Sequence, residues 1–141
     1  KQKSNINDEI NLSCSSKHFG ELRNLLKFEG TDPFYTKSEK DSWICIEFKN
    51  YYIIPTSYTL KSHDNSPGCR QPRNWVIEGS LEIQHWNIIA RISMIIDIHN
   101  FTINSKDVKE FKFIRIRLTG QNWVSTFDLT LCYIEFYGKL I

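Results

Sequence analysis

A chain of 141 residues and 16.7 kDa suits a single domain over 1–141, large enough to bury a core without metal or disulfide staples. Hydrophobic residues at 40% and charged residues at 24% exclude a disordered chain. The net charge is only +2, with 18 Lys and Arg interleaved among 16 Asp and Glu, so there is no electrostatic footprint for nucleic acid or anionic lipid.

Residues 10–16 alternate as a short strand and lead into a long connection, 17–42. Within it Phe19, Leu22, Leu25 and Leu26 have helical spacing, which predicts a short helix over 19–27 that ends before Gly30. Asp32-Pro33 and the polar run 37–42 read as loop. Residues 43–49 alternate again with Ile44, Ile46 and Phe48 on one face. After a tight connection at Asn50, 53–61 runs back with Ile54, Tyr58 and Leu60 inward. Pro55 cannot donate to a ladder and marks an edge or a bulge.

Residues 62–73, dense in Ser, Asp, Asn, Pro and Gly, form the clearest loop. Strands follow at 74–80, with Trp75 and Ile77 facing one way, at 86–92 as its partner, and at 98–103. Residues 111–119 place Ile114, Ile116 and Leu118 on one side and Phe113, Arg115 and Arg117 on the other, a strand with one buried face. Residues 120–128 are a loop, and 129–138 closes the domain with Ile134 and Phe136 inward. About eight strands and no long helix predict an all-β fold, a two-sheet sandwich.

If successive strands run antiparallel, alternate connections share an end of the sandwich. The long loops 17–42, 62–73 and 120–128 then gather at one end. The turns near Asn50, at 80–85 and at 105–110 gather at the other with both termini. Binding is expected at the elaborate end, where loops are mounted on a rigid scaffold.

Cys14, Cys45, Cys69 and Cys132 form no C-x-x-C pair and have no His at zinc-finger spacing, so neither a structural metal nor a cofactor is expected. Three of them fall in predicted strands, where reduced thiols behave as small hydrophobes. A cytoplasmic protein with reduced thiols is the expectation. Asn11-Leu-Ser and Asn100-Phe-Thr match the glycosylation sequon and keep an extracellular location as the alternative, although one or two such matches arise by chance. No apolar run reaches bilayer-spanning length, and the start, Lys1-Gln-Lys-Ser-Asn, lacks Met and an apolar signal core, so the chain is expected to be cut from a longer multidomain one. No nucleophile-elbow, zincin or phosphate-loop motif is present, and His63-Asp64 and Asp97 with His99 are local proximity without a nucleophile; no catalytic residue is assigned.

Four segments in order resemble the coagulation factor V/VIII type C, or discoidin-like, domains of the galactose-binding-domain-like folds. Trp43-Ile-Cys-Ile-Glu-Phe is similar to the family's strand of Trp followed by alternating apolar residues. Asn74-Trp-Val-Ile-Glu-Gly-Ser with Trp86 is similar to its Ser…Trp hairpin. Phe113-Ile-Arg-Ile and Ile134-Glu-Phe-Tyr-Gly resemble its last two motifs. The closing Phe-Tyr-Gly-Lys-Leu-Ile and Thr119-Gly-Gln-Asn-Trp look most like cytoplasmic members attached to BTB or ankyrin modules. The resemblance implies a jelly-roll β-sandwich whose loops at one end bind glycans, lipid headgroups or proteins. The chain lacks the Cys near each terminus that bridges the extracellular members, and it lacks paired apolar spikes for membrane insertion. Asp32 and Asp41 are too few and too far apart to specify the calcium that some relatives hold in the first long loop.

The partner is therefore expected to be a protein or a glycan, held by loop side chains. Trp123, in a Gly-Gln-Asn-Trp loop, is a candidate anchor because strand alternation does not dictate its burial. Phe34 and Tyr35 offer flat faces in the first loop, and His63, Arg70 and Arg73 offer polar groups in the second. Trp43, Trp75 and Trp86, in strands, are read as core aromatics. The alternative is a scaffold domain that only packs against other domains of its parent.

Overall fold

A computed structural model of the chain describes residues 9–62, 70–93 and 100–141. Its centre is the alternating strand at Phe113–Leu118, where Ile114, Ile116 and Leu118 are buried to 1% exposure or less while Arg115 and Arg117 point outward. In chain order the strands are β1 (Ile10–Cys14), β2 (Phe34–Tyr35), β3 (Trp43–Phe48), β4 (Ile53–Lys61), β5 (Trp75–Ser80), β6 (Asn87–Ile92), β7 (Asn100–Thr102), β8 (Phe113–Leu118), β9 (Thr130–Leu131) and β10 (Tyr133–Leu140). All pairings among them are antiparallel: a five-stranded sheet β1-β3-β8-β5-β6, a three-stranded sheet β10-β4-β7 and a short β2-β9 pair. The fold is the β-sandwich expected from the alternation.

Between the sheets lies one core, with Trp75, Ile77, Ile114, Ile116 and Ile44 from one side and Tyr58, Leu60, Ile134 and Phe136 from the other. Trp75 meets the Phe101 ring edge-on at 5.5 Å, and Tyr58 stacks on Phe101 at 5.0 Å.

Several local expectations are corrected. The helix is a single 3-10 segment, Leu22–Leu26, without a side-chain N-cap, and its Leu25 is fully buried. Ile53 rather than Ile54 points inward, because the β4–β10 ladder slips where Tyr137 faces Ser57 and the next residue, Gly138, faces Pro55. The extra residue, Thr56, shifts the side-chain phase by one, so 53 and 55 share a side with 58 and 60. Pro55 thus sits at a bulge in a central strand. Gly138 is required opposite it, since a Cβ there would lie 2.0 Å from the Ile54 carbonyl oxygen. The single strand expected over 129–138 breaks at Cys132 into β9, which pairs with β2, and β10, which pairs with β4. Residues 98 and 99 of the expected 98–103 strand lie outside the described residues.

Of the tryptophans read as core, only Trp75 is. Trp43 and Trp86 are half-buried on the outer face of the five-stranded sheet, with the Arg115 guanidinium 5.6 Å and 3.9 Å from their ring centroids. Glu78, only 4% exposed, accepts from Arg115 Nε at 2.8 Å and from Arg117 Nε at 2.9 Å, and Arg117 reaches Asp41 at 3.0 Å. Indole faces and charged groups cover one another there, so this face is closed without a second apolar layer.

The ends of the sandwich separate as strand parity requires. At the plain end Ile53 pairs with Phe111, Tyr52 with Ile141, and the Lys112 N–H donates to Ser80 O at 2.9 Å.

Candidate functional site

At the opposite end, hydrogen bonds tie the long connections to one another and to the end of β8. The Leu118 N–H donates to Ser42 O at 2.9 Å, the Thr119 N–H to Asn74 O at 3.1 Å, the Trp123 N–H to Gln71 O at 3.4 Å and the Phe127 N–H to Ser38 Oγ at 2.9 Å. Each long connection therefore touches at least one of the others, as the alternation of chain direction predicted.

The organiser of the third loop is Asn122, which is fully buried. Its Oδ1 accepts from the N–H groups of Val124 and Thr126, both at 3.1 Å, while its Nδ2 donates to Thr126 Oγ1 at 2.9 Å and to Asp128 O at 3.3 Å. A short amide side chain standing in for backbone partners is what winds this loop tightly. Asp128, 3% exposed, accepts from Thr126 Oγ1 at 2.5 Å, Thr130 Oγ1 at 2.6 Å and Arg70 Nη1 at 3.1 Å. Burial alone would raise its carboxyl, but those hydroxyl bonds and the nearby Arg70 outweigh it and hold it below the ordinary value. Asp128 is thus a charged pin that fastens the second loop to the third. Sequence reasoning missed Asn122 and Asp128; the dense Asn, Ser, Thr and Asp content of 120–128 was the available signal.

Next to this pin Arg73 lies over the ring of Trp123, its guanidinium carbon 5.0 Å from the ring centroid. Both residues are half-buried. Arg73 Nε is screened from solvent and has no hydrogen-bond partner. Among the described residues Arg73 makes no hydrogen bond or ion pair at all; the ring of Trp123 is its one neighbour of that kind.

The sequence-derived candidates divide accordingly. Arg70, Arg73 and Trp123 are brought together. Tyr35 is half-buried in β2, opposite Thr130, and stacks at 5.1 Å on Phe19, itself 52% exposed, with His18 at 5.5 Å. Phe34 is a correction: it is 0% exposed, because β2 pairs with β9 and turns alternate side chains inward, so its ring offers no face to a ligand. His63 lies outside the described residues.

No protein-family model matches the chain, and no curated protein matches its sequence. Solved structures do match. CpGH89CBM32-5 from Clostridium perfringens, in complex with GalNAc-β-1,3-galactose, superposes with a TM-score of 0.74 at 10% identity, over 93% of this chain and 96% of that one. The lectin domain of lectinolysin, complexed with Lewis B antigen, gives 0.70 at 12% identity over 92% of both chains. A family 89 glycoside hydrolase from Clostridium perfringens gives 0.70 at 14% identity over 93% of this chain but only 14% of the enzyme. The chain therefore has the fold shared by these carbohydrate-binding and lectin domains, the β-sandwich that the discoidin-like resemblance implied.

Proposed function

We propose that the protein is a non-enzymatic recognition module that binds a glycan through the loops at one end of its sandwich. The observation that carries this reading is the convergence of Arg70, Arg73 and Trp123 on one surface, built by loops distant in sequence on a rigid scaffold. An aromatic ring and guanidinium groups are the chemistry that takes a sugar by its C–H face and its hydroxyls. The likeness to a carbohydrate-binding module and a lectin domain supports a glycan over a protein ligand. The match to a small part of a large hydrolase supports a role as one module of a longer, multidomain chain. Free thiols at Cys14 and Cys45, among the described residues, support a reducing, cytoplasmic setting.

A second reading, a scaffold domain docking on neighbouring domains, is favoured by apolar side chains exposed at the plain end: Tyr52 at 42%, Leu81 at 50%, Ile83 at 64% and Ile141 at 52%. A glycan array probed with the parent, with a triple variant (Arg70→Ala, Arg73→Ala, Trp123→Ala) and with Glu82→Ala at the plain end separates the two. Glycan recognition predicts loss in the triple variant alone, with melting curves confirming that all three proteins are folded. Equal retention by the two variants, or none by the parent, leaves the scaffold reading ahead.

A further inference from the structure

Resting on the glycan reading of the same site, we propose that the ligand is an acidic saccharide, one bearing a carboxylate, and that Arg73 is the residue that reads its charge. The other half-buried arginines of the five-stranded sheet's outer face are held by carboxylates. Arg115 and Arg117 share the Glu78 carboxylate, and Arg117 has Asp41 as well. Arg73 is half-buried too, yet it has no carboxylate among the described residues, and its Nε is screened from water without an acceptor. A guanidinium partly withdrawn from solvent, with no carboxylate among the described residues, is costly to hold, and an anion meeting its open Nη groups relieves part of that cost.

The surroundings sharpen the choice. Asp128 is the nearby acid of this cluster, and Arg70 already neutralises it at 3.1 Å, so it sets up no opposing field against an incoming anion. The pair Arg70–Asp128 sums to zero charge, which leaves Arg73 as the net positive group of the cluster among the described residues. Trp123 holds the guanidinium in place while offering it no acceptor, so the donor fork is fixed before the ligand binds. Its two Nη groups, which unlike Nε are not screened from solvent, form a planar fork that matches the two oxygens of a carboxylate. Hydroxyls of a neutral sugar can also accept from Arg73, but they leave its charge uncompensated.

The test is an array of matched neutral and carboxylated glycans: galactosides beside galacturonides, glucosides beside glucuronides, sialylated chains beside their asialo forms. It is probed with the parent, Arg73→Gln and Arg73→Lys. Preferential retention of the carboxylated member is expected, weakening about tenfold or more in Arg73→Gln. Arg73→Lys, which keeps the charge and loses the fork, should recover part of it, and retention should fall with added salt. Retention of the neutral member as strongly as its acidic match overturns the inference while leaving glycan recognition standing. So does acid binding that Arg73→Gln leaves unchanged. If the folded parent retains no glycan of either kind, the glycan reading fails and the inference falls with it.

Discussion

The indole Nε1 of Trp75 donates to the Tyr58 hydroxyl at 3.1 Å, joining the two sheets through side chains that are both 0% exposed. Neither group can turn to water, so each depends on the other. Tyr58→Phe leaves a buried indole donor unpaired and should destabilise the fold by about 1 to 3 kcal/mol, read as a lower urea midpoint with an unchanged slope. Trp75→Ala should cost about 3 to 5 kcal/mol through lost burial and the cavity left behind.

The same pair has an alkaline signature. Burial, against the lowering effect of the Trp75 bond, pushes the Tyr58 hydroxyl from 10.0 up to about 12. The unfolded chain releases this proton near pH 10 while the folded chain keeps it. The contribution is therefore complete below pH 10 and lost as pH rises towards 12. Equilibrium unfolding against pH should show that decline in the parent, and a shallower one in Tyr58→Phe.

Glu78 gives the mirror image in acid. Burial would raise its carboxyl, but hydrogen bonds from Arg117 and Arg115 outweigh that and hold it below the ordinary 4.5. Its contribution is complete above pH 4.5 and is lost as pH falls through the depressed folded value. Glu78→Gln should be destabilised by about 3 kcal/mol at neutral pH, because two half-buried guanidinium groups lose their shared anion, and its stability should fall less steeply below pH 4.5. An acid limb identical to the parent's would mean that the outer-face cluster is not coupled to folding.

Cys14 and Cys45 are free thiols, and burial pushes the Cys45 thiol up to about 11. Alkylation with iodoacetamide at pH 8 should therefore leave Cys45 unmodified in the folded protein and modify it fully in urea. Melting temperatures with and without reductant should coincide; a drop of several degrees on reduction, about the scale of losing 1 kcal/mol or more, would reveal a stabilising bridge.

The strands and their inward faces were legible because each sheet has one buried side, which stamps a period of two on the sequence. Ile44, Ile46, Ile114 and Ile116 were placed correctly on that ground alone. Errors arose where a non-local contact overrides the period. Ile54 lost its inward position to a bulge whose partner, Gly138, lies far along the chain. Phe34 looked like loop until its two-residue pairing with Thr130 and Leu131 drew it into the core. Trp43 and Trp86 carry strand periodicity, but the guanidinium of Arg115 gives them a partner outside the core. At the loop end, parity located the cluster, whereas the pin at Asp128 depends on Arg70 from a different loop and left only a compositional trace.

Backbone amide shifts of the isotopically labelled protein, followed during titration with the glycan most strongly retained on the array, locate the contact surface. Binding at the loop end predicts saturable shifts at 70–74, 121–128 and 35–42, with those at 50–52, 80–86 and 105–112 unmoved. Shifts confined to the plain end, among Tyr52, Leu81, Ile83 and Ile141, would contradict it and assign the contact surface to the opposite end of the sandwich.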